Sequence, residues 1–286
     1  VQTSDHRSAG NRTAIIVSGM HRSGTSAITR MVSLLGAALP EHLIEGDRRN
    51  ERGFWEGRAV VDLNVRILDR LGAWGAGWEF VDPQEQLSLT RIVERTRKLI
   101  RAEFHDADLI VLKDPRICRL LPLWTHALEK EGFRAAHVTA LRHPGAVADS
   151  LARRDGLSAK ATTLSWLAHL LDAEFYSRTQ PRVVVSFESV LRSWREEVDR
   201  MGRALAIEWP HTSDDVADAV SEFIEPGLAH DPPESAGKGP VAAVAPVYDV
   251  LHRWAEDDRR PDDGDILDSW RSLLEPIRAA RSGTAR

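Results

Sequence analysis

Short apolar runs alternate along this chain with longer segments in which apolar residues recur every three or four positions. The first pattern reads as buried parallel strand, the second as a helix with one face on a core. The runs fall at Ala14–Ser18, Asp108–Leu112, Ala135–Leu141 and Arg182–Phe187. Helical spacing fills the intervals. One segment runs from Thr25 to Leu35 with Ile28, Met31, Val32 and Leu35 on one side and Gly36 as its stop. Others run from Val60 to Leu71, Leu87 to Phe104, Leu120 to Glu131, Ala159 to Arg178 and Glu188 to Leu205, and Pro144 opens another. Such alternation predicts an α/β fold of three layers, a mainly parallel sheet of four to five strands flanked by helices. The C-terminal part reads as helical, at Tyr248–Asp257 and Ile266–Ala280.

Between these elements the pattern lapses in three places. Residues 1–12 read as a flexible tail, and 13–286 as a single domain with a Pro- and Gly-bearing mobile loop near 226–246. Residues 37–57 have no clear period, but Phe54 and Trp55 argue that the segment packs on something. Ala73–Asp82, with Trp74 and Trp78, reads either as a pocket wall or as aromatic cover for a sheet edge.

Composition narrows the picture only a little. The 286 residues carry a formal net charge of −5, which gives no general pull toward nucleic acid or an anionic membrane. No dense basic patch is interleaved with aromatics. The one cysteine, Cys118, leaves no internal disulfide. No apolar run approaches a membrane span, so a cytoplasmic protein is expected.

The chemistry gathers at three strand ends. In Ile15–Ser26 (IIVSGMHRSGTS) a strand breaks at Gly19 and a helix starts near Thr25, a geometry that aims backbone N–H groups and a positive helix end at one point. The frame is close to the P-loop pattern, with Gly19, Gly24 and Ser26 in place, but Thr25 stands where a nucleoside triphosphatase has lysine. Arg22 is the replacement cation, able to clamp an oxyanion at two points. The second strand end is Lys113-Asp114-Pro115-Arg116, and the third is Arg142-His143-Pro144, with Ser150 in the helix that follows. Ligands in open α/β sheets bind beyond the carboxyl ends of strands, so all three point toward one crevice.

The segments GMHRSGTS and LRHPGAVADS, with the run VVVSFESVL, together resemble the sulfotransferases that use PAPS (3′-phosphoadenosine 5′-phosphosulfate), over about residues 15–207. The resemblance implies that Arg22, Ser23, Gly24, Thr25 and Ser26 grip the 5′-phosphosulfate, and that Arg142 and Ser150 grip the 3′-phosphate. Lys238, in Gly237-Lys238-Gly239, would close over it. The reaction implied is in-line attack of an acceptor hydroxyl on sulfur, with adenosine 3′,5′-bisphosphate leaving and no metal required. Arg22 and Lys113 would stabilise the growing charge. Where many members of the family carry a histidine base, this chain has Lys113-Asp114-Pro115. Two carboxylates therefore compete for the role of base: Glu56, in a segment (Asn50–Glu56) that resembles bacterial members, and Asp114, which is equally placed to pair with Arg116 or Lys113. The tryptophans suit a carbohydrate or a glycosylated metabolite as the hydroxyl-bearing acceptor. A small-molecule P-loop kinase is the rival reading, with DLIVLKD as a magnesium-binding strand. A nucleotide-binding module without catalysis is the other.

Overall fold

Alternate residues of the first strand serve different cores. In β1 (Arg12–Ser18) Ile15 and Val17 join one buried cluster while Ala14 and Ile16 join another on the opposite face. A strand apolar on both sides belongs inside a sheet covered twice. The computed structural model describes residues 12–46, 52–73, 81–224, 235, 237–257 and 264–282, and there the sheet has four parallel strands in the order β2-β1-β3-β4. The other strands are β2 (Leu109–Lys113), β3 (Phe133–Leu141) and β4 (Arg182–Ser186). An isolated bridge from Ala38 to Ile110 extends the β2 edge.

The helices follow in chain order: α1 (Thr25–Leu34), α2 (Arg58–Arg70), α3 (Pro83–Ser88), α4 (Thr90–Phe104), α5 (Ile117–Lys130), α6 (Pro144–Asp155) and α7 (Ala159–Tyr176). After β4 come α8 (Phe187–Leu205), α9 (Asp214–Phe223), α10 (Gly239–Ala243), α11 (Ala245–Glu256) and α12 (Gly264–Ser282). One face of the sheet packs α1, α8 and α9 through Ile28, Met31, Val190, Met201 and Val220. The other packs α2, α4 and α5 around the fully buried Trp124. A third cluster, built on Trp166, joins α6 and α7 to α11 and α12. This is the three-layer α/β architecture that the alternation predicts, with a helical C-terminal part.

The differences from the sequence reading have local causes. The expected helix from Leu87 to Phe104 is two: α3 is opened by Asp82, whose carboxylate accepts from Gln84 N at 2.8 Å, and the ladder restarts after Leu89. Helix α5 begins at Ile117, ahead of Leu120, and admits Pro122 inside it. Of the segment read as a mobile loop near 226–246, residues 239–243 and 245–246 are helical, and 226–234 and 236 lie outside the described residues. The tail 1–11 and the Trp74–Trp78 segment also lie outside them. Helix α9 is an addition. Its signature was legible, Ser213 at the N-cap position and Asp214 and Asp215 in the first turn. No described helix is long and apolar enough to cross a membrane.

The topology creates the crevice. Strand β1 lies between β2 and β3, so the chain leaves it to one side and later crosses to the other. Its carboxyl end is the switch point at which such sheets bind ligands.

A candidate anion-binding cleft at the strand ends

The turn after β1 is built by two glycines with no room for side chains. Gly19 has φ 140, and a Cβ there would lie 2.7 Å from Ala140 O. Its N–H donates to Cys118 Sγ at 3.0 Å, and burial pushes that thiol's pKa up to about 12, which keeps it an inert buttress. Gly24 has φ 83, and a Cβ would meet Phe187 Cδ2 at 2.2 Å. Gly24 caps α1 with no side-chain hydrogen bond, and the first turn contains no acidic residue. Since the backbone ladder opens with Ile28 N to Gly24 O, the N–H groups of Thr25, Ser26 and Ala27 project from an uncompensated positive helix end.

Arg22, at φ 70, ties this turn to the end of β3. Its Nε donates to Ser150 Oγ at 2.9 Å, and its carbonyl accepts from Arg142 Nη1 at 2.9 Å. Arg142 and Ser150, about two helical turns apart along the chain, thus meet through a third residue. Arg142 is 6 % exposed and stacks 5.0 Å from the ring centroid of Phe187. Its buried Nε has no hydrogen-bond acceptor, and no carboxylate among the described residues forms an ion pair with it. Burial draws its pKa down from the ordinary arginine value, with Glu188 opposing. The buried Ser23 Oγ is likewise without a partner. Buried polar groups of this kind are costly unless something satisfies them.

Across the cleft stands a buried ammonium. Lys113 Nζ, at the end of β2, donates to Glu56 Oε1 at 2.5 Å, to Phe54 O at 3.0 Å and to Ser26 Oγ at 3.2 Å. Ser26 Oγ donates in turn to Phe54 O at 3.2 Å. Burial raises the Glu56 pKa above the usual carboxylate value; Lys113 pulls it back and Asp114 pushes it up. Glu56 and Lys113 both line the cleft, with Arg22, Gly24, Thr25, Ser26 and Arg142, around about 160 Å³ of space.

Four sequence candidates are not among the residues that line the cleft: the buried Ser23 and Ser150, the latter bonded to Arg22, and Asp114 and Lys238. Asp114 is fully buried and does not line the cleft. Its Oδ2 accepts from Asn64 Nδ2 at 2.8 Å and its Oδ1 from Arg116 N and Nη1 at 3.1 and 2.8 Å, while Asn64 is held by Trp124 Nε1 at 2.8 Å. The pairing with Arg116 explains its position better than a role as base. Lys238 is exposed, at the N-cap of α10, and is not among the cleft residues. Nearby Ser235 does lie against the start of α6, donating from Oγ to Gly145 O at 3.2 Å.

Several cleft residues were not picked out from sequence: His21, Arg52, Arg154, Phe187 and Phe223. Arg154 follows Ser150 by one helical turn, a signal that spacing offers. Burial, then the cations Arg116, Lys113 and Arg154 with His169, hold the His21 pKa well below its ordinary value, so its ring is neutral. Phe223 comes from α9, and no local pattern announces its arrival at this site.

Neither protein-family models nor curated proteins give a match to this chain. Among solved structures it is similar to the sulfotransferase domain from the Synechococcus PCC 7002 olefin synthase, at 20% identity over 87% of this chain and 98% of that one, with a TM-score of 0.49. At that distance the likeness assigns no residue a role; the roles below rest on this chain's own geometry.

Proposed function

We propose that the protein is a PAPS-dependent sulfotransferase that moves a sulfuryl group to the hydroxyl of a carbohydrate or glycosylated metabolite. The observation that carries the reading is Arg142. A nearly dry guanidinium with an unpartnered N–H sits beside an uncapped helix end, with Arg22 between them. Two adjacent anion positions in one cleft suit a ligand phosphorylated at two places. The orphaned Arg142 Nε and Ser23 Oγ fit such a ligand.

In this reading the N–H groups of Thr25 and Ser26 and the Arg22 guanidinium hold the phosphosulfate end. Arg142 and Ser150 hold the 3′-phosphate. Bound PAPS would supply the electrophilic sulfur and leave as adenosine 3′,5′-bisphosphate. Glu56 would take the acceptor's hydroxyl proton at Oε2, the oxygen that Lys113 leaves free. Its raised pKa brings a carboxylate nearer the working pH of a general base. Lys113, with Arg22, offers preorganised positive charge where negative charge develops.

The kinase reading is weaker. Both oxygens of Asp114 are engaged by Asn64 and Arg116, and Ser26 Oγ is bonded to Phe54 O and Lys113. A P-loop kinase uses these two positions for magnesium.

Calorimetric titration with adenosine 3′,5′-bisphosphate, 5′-AMP and ATP tests the proposal. Binding should require the 3′-phosphate, and Arg142→Ala should weaken it about 10- to 100-fold, as loss of a charge-assisted hydrogen bond does. Preference for ATP, or indifference to the 3′-phosphate, overturns it.

A further inference from the structure

The segment that delivers Glu56 has an unusual backbone. Trp55 sits at φ 56, and an L-residue of this bulk persists there only when its surroundings over-determine it. Two helices supply the constraint. The guanidinium of Arg30, on α1, lies 4.5 Å from the Trp55 ring centroid. Phe223, the last residue of α9, meets the same indole edge-on, with centroids 6.1 Å apart. Three residues earlier, Arg52 Nη1 donates to Phe223 O at 2.6 Å, so the strap is tied to α9 twice. Beyond Trp55, Ile44 N donates to Glu56 O at 2.8 Å and Gly57 bridges to Leu43.

The two neighbours of Trp55 converge on one atom. Phe54 O and Glu56 Oε1 both accept from Lys113 Nζ, at 3.0 and 2.5 Å. Rotation about the Trp55 backbone moves one acceptor relative to the other, and the ammonium can then no longer hold both. The fixed backbone of Glu56 on its far side leaves Trp55 as the hinge that must be blocked.

We propose that Trp55, clamped in left-handed backbone between α1 and α9, is the positioning residue that sets Glu56 against Lys113. The inference rests on the reading of Glu56 as proton acceptor, and it gives α9 a task at the site although that helix is remote in sequence.

The test uses the full chain carrying Trp55→Ala or Trp55→Phe, with Glu56→Gln as a control. The Glu56 carboxyl is followed by carbon NMR titration in the ligand-free protein. Binding of adenosine 3′,5′-bisphosphate is measured by calorimetry, and sulfate release from PAPS is measured with water as acceptor. In Trp55→Ala the Glu56 titration should fall toward that of an ordinary glutamate, because burial, the largest influence on it, is relieved as water enters and this outweighs the loosened contact to Lys113. Bisphosphate affinity should be unchanged, and the rate should drop about 100-fold. Trp55→Phe, which keeps a ring between Arg30 and Phe223, should restore most of both.

An unchanged Glu56 titration in Trp55→Ala overturns the clamp, and so does a loss of bisphosphate affinity that matches the loss of rate. Wild-type sulfate release by Glu56→Gln defeats the base assignment alone, and the Glu56 titration still decides the clamp. Should Trp55→Ala not fold, Phe223→Leu removes the edge contact while keeping the indole. It must then shift the Glu56 titration the same way by a smaller amount, and no shift overturns the proposal.

Discussion

Lys113 and Glu56 form a pair in which the ammonium bears on the charge of the carboxylate. The ammonium is 3 % exposed and spends its three protons on three oxygens of the cleft wall. Burial favours a protonated Glu56, and the adjacent cation is the main force keeping it ionised. Lys113→Met removes that force and leaves a buried carboxylate, so the Glu56 pKa rises further. A base works only when deprotonated; the acidic limb of the pH–rate profile should therefore move to higher pH in this variant. A limb that moves to lower pH, or stays, would mean that Lys113 does not hold Glu56 ionised. Glu56→Gln tests the base itself. Rates with the preferred acceptor should fall about 10²- to 10⁴-fold, the usual contribution of general base catalysis, while bisphosphate affinity holds. The carboxamide keeps the shape and the contact to Lys113, which separates proton transfer from packing.

At the scale of elements, the turn between β1 and α1 depends on glycine for two different reasons. Gly24 needs both its positive φ and the absence of a Cβ, because Phe187 occupies that volume. Gly132, in the turn before β3, has φ 80, but a Cβ there would have nothing within 4 Å. Gly132→Ala should therefore cost only the conformational term, about 1–2 kcal/mol. Gly24→Ala should add the steric one, about 1–3 kcal/mol more, and should also weaken bisphosphate binding. Urea unfolding of the two variants separates the terms; equal losses would show that Phe187 yields freely. Much of this turn was legible in the chain, because IIVSGMHRSGTS carries its geometry in consecutive residues. The same holds for the strands, whose apolar runs lie within about two residues of β1 to β4. What the chain hid was assembly over distance. Arg142 and Ser150 meet only through Arg22, and Phe223 reaches the cleft only because α9 packs beside α1. Asp114 misled for a related reason. A strand-end carboxylate reads the same whether it faces the crevice or turns inward to Asn64 and Arg116, and only the fold decides.

At the scale of the whole molecule, a cleft with four arginines and one lysine among its lining residues sits in a chain of net charge −5. Such local concentration focuses the field on an anionic ligand without making the surface generally basic. The same sheet that sets out these cations also buries a histidine with nothing to bond. His137, inside β3, is 0 % exposed, and neither ring nitrogen has a hydrogen-bond partner. Burial, aided by the charge of Arg182, lowers its pKa to about 4. An unfolded histidine titrates near 6.5, so below that pH the unfolded chain binds a proton that the folded one resists. The contribution of His137 to stability is thus intact above about pH 6.5 and is lost as pH falls toward 4. Between pH 7 and pH 5 the loss should be about 2 kcal/mol, from the shift and the value of one pKa unit. His21, neutral for similar reasons, adds to the slope with the same sign. Urea unfolding at both pH values should show the difference in wild type and a smaller one in His137→Leu, which fills the site with an apolar side chain that cannot be charged. An identical difference in the variant would place the acid sensitivity elsewhere, with His21 beside the cleft as the next group to replace.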